Sequence, residues 1–155
     1  MNPKTLESKW QKKWAEAKAY ESEPGGAKEK YFVNCPYPYM NGYLHLGHAF
    51  TYLRADMVSR YQRMQDKNVL FPFAFHCTGT PIVAAAQRVE EGEETQIKAL
   101  KQMGLSDTLI KKFSNPEEWT KHFPDKAIQD LKKFGASIDW RRSCLLYTSD
   151  AADES

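Results

Sequence analysis

Little in this chain of 155 residues points outside the cell or into a membrane. Cysteine is scarce: Cys35, Cys77 and Cys144 are an odd number, widely spaced and without a Cys-x-x-Cys, which argues against both a disulfide framework and a zinc ribbon. No apolar run approaches the roughly 20 residues of a membrane helix, and the Lys-rich start lacks the apolar stretch of a signal peptide. A strong charge excess is also missing. The balance of 22 basic and 20 acidic residues leaves a net +2, too little for a module living only on nucleic-acid phosphates. The expectation is a soluble, cytoplasmic protein with no membrane contact.

What is present suits a folded domain: 41% hydrophobic and 27% charged residues supply a core and a solvated surface. Asn2-Pro3 reads as a helix cap and first turn, followed by Leu6, Trp10, Trp14 and Ala17 on one stripe, so a helix is expected to about Ala19 with its tryptophans docked on a core. Pro24-Gly25-Gly26 breaks the chain. Lys30 to Cys35 mixes aromatic and β-branched residues as a buried strand does, and Pro36-Tyr37-Pro38-Tyr39-Met40-Asn41-Gly42 predicts a stiff loop ending in a turn. Leu46, Phe50, Leu53, Met57, Tyr61 and Met64 mark the buried face of a helix that ends by Asp66 to Asn68, and Val69-Leu70-Phe71 is the next strand.

Strand, loop, helix, strand is the order of a right-handed crossover in a parallel sheet. Thr80 before Pro81 reads as a cap and first-turn proline opening a further helix to about Glu91, and Glu90 to Gln102 reads as a helix with one solvated face. Two more are expected, one capped by Asn115 with Glu118 in reciprocal position and one from Pro124 to Phe134, stopped by Gly135. From Cys144 the chain trails into small and acidic residues. The organisation expected is therefore a helical extension over 1–29, an incomplete α/β domain over 30–143 and a tail over 144–155.

His45-Leu46-Gly47-His48 falls where the first strand meets its helix, the place where open parallel sheets bind ligands. Backbone N–H groups at a helix start favour an anion, two imidazoles at i, i+3 can donate to phosphate oxygens, and Gly47 leaves room for a base or ribose. Paired histidines can instead hold a metal, but no Cys or carboxylate stands at suitable spacing, and no metal ligand set is expected.

The run Cys35-Pro-Tyr-Pro-Tyr-Met-Asn-Gly-Tyr-Leu-His-Leu-Gly-His-Ala-Phe50 resembles the His-x-Gly-His signature of class I aminoacyl-tRNA synthetases. With Asn68-Val-Leu-Phe-Pro-Phe-Ala-Phe-His-Cys-Thr-Gly-Thr-Pro-Ile82 it resembles the leucyl-tRNA synthetase family of archaeal and eukaryotic-cytosolic type, from about residue 2 through Asp139-Trp140-Arg141-Arg142-Ser143. The four-residue signature alone is weak; the combination is specific.

The resemblance implies the first half of a Rossmann-type catalytic domain, a parallel sheet with flanking helices. It implies ATP-dependent ligation of leucine to its tRNA through leucyl-adenylate, with ATP as substrate, Mg²⁺ beside it, and the tRNA held mainly by domains not in this chain. His45, Gly47 and His48 would face ATP, His45 and His48 as the catalytic donors. Tyr37, Pro38, Tyr39 and His76 would border leucine, His76 toward its ammonium, although a satisfied loop histidine and tyrosines in simple core packing stay open.

This sequence departs from the family in two ways. It has no Lys-Met-Ser-Lys-Ser motif, and Cys144 to Ser155 does not resemble the family's continuation, so an N-terminal piece inactive alone is expected. A synthetase for isoleucine, valine or methionine, or a non-catalytic nucleotide- or RNA-binding module, are the alternatives.

Overall fold

The computed structural model describes residues 2–146, which form two compact units. Among the described residues, the first comprises those up to Pro36, His45–Phe73 and Gln129–Cys144; the second comprises Tyr37–Leu44, Ala74–Ile128 and those just after Cys144.

In the first unit, α1 (Pro3–Glu16) starts as expected, the Asn2 side chain accepting the Lys4 N–H at 3.1 Å. It buries no residue fully. Of its two tryptophans Trp10 stays exposed and Trp14 is half-buried, under the Arg60 guanidinium at 5.2 Å. β1 (Lys30–Phe32) and β2 (Asn68–Leu70) run parallel, pairing Lys30 with Asn68, Tyr31 with Val69 and Phe32 with Leu70. Between them lies α2 (Leu46–Met64), so the predicted β-α-β crossover is present.

The face that α2 buries is the reverse of the one its apolar stripe predicts. Leu46, Phe50, Leu53, Met57, Tyr61 and Met64 are all exposed, Leu46 by 86%, whereas Tyr52, Asp56 and Ser59 are buried. The reason is a satisfied polar network. Asp56 accepts from Arg60 at 2.7 Å and from the Ser137 N–H at 2.5 Å; Arg60 donates to the Gly135 carbonyl at 2.5 Å and the Tyr20 hydroxyl at 3.1 Å; Arg63 donates to the Ser137 hydroxyl and carbonyl at 2.8 and 3.0 Å. With every partner in place, burying this polar face costs little, and it rather than hydropathy sets the rotation of the helix.

The second unit is mainly helical. β3 (Ala74–His76) forms a two-stranded sheet with β4 (Cys144–Leu146), so regular backbone continues past the 143/144 boundary expected from composition; residues 147–155 of that tail lie outside the described residues. α3 (Thr80–Glu90), α4 (Glu94–Gln102) and α5 (Asp107–Lys112) follow. Gly79, not Thr80, caps α3, at φ +90°, a conformation glycine adopts without strain.

The two helices expected after Asn115 are one, α6 (Pro116–Phe134), with Pro124 inside it. Pro124 costs a backbone hydrogen bond, but Trp119, Phe123, Ala127 and Leu131, four residues apart, are all buried, and that stripe keeps the helix continuous. Asn115 does accept the Glu117 N–H at 3.0 Å, whereas the Glu118 carboxylate pairs with Lys121 at 3.0 Å instead of closing a capping box.

Candidate nucleotide and amino-acid sites

The residues singled out in the sequence fall into two clusters, one in each unit. In the first unit, His45 is the N-cap of α2, in extended conformation, and His48 is its third helical residue. The His45 Nδ1 accepts the Gly47 N–H at 3.1 Å, and the His48 Nδ1 accepts the His45 N–H at 3.2 Å. The histidines thus form a reciprocal cap, the role Ser and Glu play in the usual capping box. Two N–H groups that the sequence left for an anion are consumed by these side chains.

The chemical consequence is a defined tautomer. An imidazole whose Nδ1 accepts a backbone N–H carries its proton, when neutral, on Nε2, so each ring keeps one N–H to donate elsewhere. The ring centroids are 4.0 Å apart at 34°. Burial first, and the neighbouring His45 second, hold the His48 pKa below its ordinary value, favouring the neutral form that the cap requires.

Gly47 has a role the sequence did not show: a Cβ there would meet His45 Cε1 at 3.0 Å and Nδ1 at 3.1 Å. Its hydrogen side keeps the cap closed. One turn further along α2, the Tyr52 ring lies 5.9 Å from His48 at 19°, and Phe73 stands edge-on to Tyr52 at 4.9 Å and 90°. Sequence reading passed over Tyr52 because it lies off the apolar stripe; its i+4 spacing from His48 was the available signal.

In the second unit, the Pro-Tyr-Pro-Tyr loop lies along β3. The His76 N–H donates to the Pro38 carbonyl at 2.9 Å, and the Met40 N–H donates to the His76 carbonyl at 3.0 Å, making Tyr39 and His76 a parallel bridge. The four expected leucine-side residues are thereby brought together: the His76 ring stacks on Tyr39 at 4.9 Å and 26° and meets Tyr37 at 6.4 Å and 55°, with Pro38 buried beneath. Met40 is fully buried, and beyond it Tyr43 sits edge-on to Phe123 at 5.4 Å, so the loop is anchored on both sides of its turn.

Among the described residues no group of three His, Cys, Asp or Glu side chains is placed to hold a metal ion, and no helix is long and apolar enough to cross a membrane. The donor set around His45 and His48 contains no carboxylate, so these residues do not form a Mg²⁺ site.

The comparisons with known proteins agree on a single family. The family model described as tRNA synthetases class I (I, L, M and V) matches residues 9–152. A leucine–tRNA ligase of Aeropyrum pernix is 48% identical over 139 residues, 90% of this chain and 14% of that protein. A probable cytoplasmic leucine–tRNA ligase of Vairimorpha ceranae is 49% identical over 122 residues, 75% of this chain and 14% of that protein. A crystal structure of a LeuRS–tRNA–LeuAMS ternary complex from Agrobacterium radiobacter K84 shares the fold, with a TM-score of 0.68 at 23% identity over 90% of this chain and 15% of that one. The chain therefore spans about one seventh of the length of such relatives. With its parallel crossover and its signature at the start of α2, the chain belongs to the class I tRNA synthetase family of the isoleucine, leucine, methionine and valine enzymes.

Proposed function

We propose that this chain is the segment of a leucine–tRNA ligase that presents the α-phosphate donors and part of the leucine pocket, and that the full-length protein joins leucine to its tRNA in the cytoplasm at the expense of ATP. The observation that carries this reading is the paired cap at the start of α2, which leaves His45 and His48 each with one Nε2–H in a ring pair 4.0 Å apart. The identities to leucine–tRNA ligases support leucine over the other amino acids of the family.

In leucine activation a carboxylate oxygen attacks the α-phosphorus of ATP, a P–O bond forms, and the bond to pyrophosphate breaks. The protein need supply no covalent group; it must orient the reactants and place donors where negative charge grows on phosphoryl oxygens. His45 and His48 suit this task because the cap occupies the Nδ1 of each ring and leaves Nε2 to donate before substrate arrives. Gly47 keeps that arrangement by leaving the His45 ring in place. In the second unit, Tyr37, Pro38, Tyr39 and His76 would enclose the leucine side chain and its ammonium, the stacked His76 accepting a hydrogen bond when neutral. Mg²⁺ would come with the nucleotide, bound by its phosphates.

The test is single-turnover adenylate formation in the full-length protein at saturating ATP and leucine. His45→Ala and His48→Ala should each slow it by about 10²–10³, the usual loss for one transition-state donor, with leucine affinity little changed. His48→Gln, whose amide N–H lies close to the Nε2 position, should recover part of the rate. Near-normal rates in both alanine variants would defeat the reading.

A further inference from the structure

We propose that Tyr52 is a positioning residue for the donor pair, its ring holding the His48 imidazole in the plane that the reciprocal cap needs; the proposal rests on the phosphate-donor reading of His48 given above. The side chains form a column that passes from solvent into the core. His45 is exposed, His48 half-buried, Tyr52 3% exposed and Phe73 fully buried. Successive ring centroids stand at 4.0, 5.9 and 4.9 Å, and Phe73 in turn meets Trp140 at 6.1 Å.

Each contact in the column restricts a different freedom. The cap hydrogen bond fixes which edge of the His48 ring faces the backbone, but an imidazole held by one hydrogen bond can still tilt about it. A near-parallel ring at 19° limits that tilt. Tyr52 is itself held from behind: it is buried on the polar face of α2, and Phe73 packs edge-on against it. His45 rests on His48, so a tilt of His48 displaces both donors.

The same geometry separates the ring of Tyr52 from its hydroxyl. Stacking and edge contacts use only the ring, so Tyr52→Phe should preserve the column, whereas Tyr52→Leu removes the near-parallel ring beside His48 while keeping an apolar group in the core. The first readout needs no substrate: the histidine ¹⁵N spectrum of this chain, which distinguishes an imidazole protonated at Nε2 alone from one exchanging between tautomers. The second is the single-turnover rate of adenylate formation in the full-length protein.

The expected result is a single Nε2–H tautomer for His48 in the wild type and Tyr52→Phe, and averaged signals in Tyr52→Leu. The rate should fall tens of fold in Tyr52→Leu, toward the roughly hundredfold that a misplacement of about 1 Å costs, with the KM for leucine unchanged and with recovery in Tyr52→Phe. Should Tyr52→Leu fail to fold, Tyr52→Met is read in the same way. An unchanged tautomer in a folded variant, or an equal loss in Tyr52→Phe, overturns the proposal at the stack. Averaged tautomers with an unchanged rate overturn it through the function on which it rests.

Discussion

Asp56, on the buried side of α2, accepts the backbone N–H of Ser137 at 2.5 Å, and its second oxygen accepts the Arg60 Nε–H at 2.7 Å. A carboxylate that is 5% exposed thus links the helix carrying His48 to the segment after α6. Removing it would leave a buried amide without its acceptor and a guanidinium without its counter-charge.

Asp56→Ala should therefore destabilise the protein by about 3 kcal/mol, the lower end for a broken buried pair, since a third of the Arg60 side chain reaches solvent. Met57→Gln, one residue on but on the exposed stripe, should stay within about 0.5 kcal/mol. Urea midpoints of the two variants in this chain decide it. Equal losses would mean that the polar face holds α2 no more firmly than the exposed stripe does.

That contrast explains what the sequence could and could not disclose. The crossover and the start of α2 were legible because they depend on local signals, breakers and a short β-branched and aromatic run, whereas the grouping of His76 with Tyr37, Pro38 and Tyr39 came only with the family resemblance. The buried face of α2 was not legible, because hydropathy ranks Arg60 and Arg63 as surface residues, and several of the groups that satisfy them, among them the carbonyls of Gly135 and Ser137, lie more than 70 positions away. Pro124 misled for the opposite reason: its local cost is outweighed by a buried stripe. The reciprocal cap of His45 and His48 was within reach, since the i, i+3 spacing is that of a capping box, but histidine is an unusual residue for it.

The thiols should react in two classes. Burial pushes Cys35 and Cys77 each up to about 11, and both are buried, so almost no thiolate is available at neutral pH. Cys144 is exposed. An aromatic disulfide reagent at pH 8 should titrate one thiol quickly in the native chain and the other two only after denaturation. Three fast thiols would show that the two strand-end cysteines are open to solvent.

Acid should weaken the fold through histidine. His48 and His122 are both held below the ordinary 6.5, in each case chiefly by burial, so the folded state binds their protons less readily than the unfolded chain. Their contribution is complete above about pH 6.5 and is lost as pH falls through the depressed folded values. Protonating His48 at Nδ1 also breaks the cap. The melting temperature should thus drop between pH 7 and pH 5, and His48→Gln should reduce that slope. A slope unchanged in this variant would remove His48 from the account.

Gly47→Ala should separate stability from activity. Inside α2, alanine is favoured over glycine by up to about 1 kcal/mol, which supports the helix. The new Cβ, however, would sit 3.0 Å from His45 Cε1 and 3.1 Å from its Nδ1, so the exposed ring must give by a few tenths of an ångström, which disturbs its Nδ1 contact with the Gly47 N–H. The melting temperature should hold or rise slightly, while adenylate formation in the full-length protein falls, by no more than in His45→Ala. The double variant Gly47→Ala with His45→Ala provides the decisive measurement. If the glycine acts through His45, the double variant should be no slower than His45→Ala alone; if it acts by admitting the nucleotide, the two losses should multiply and the KM for ATP should rise in both backgrounds.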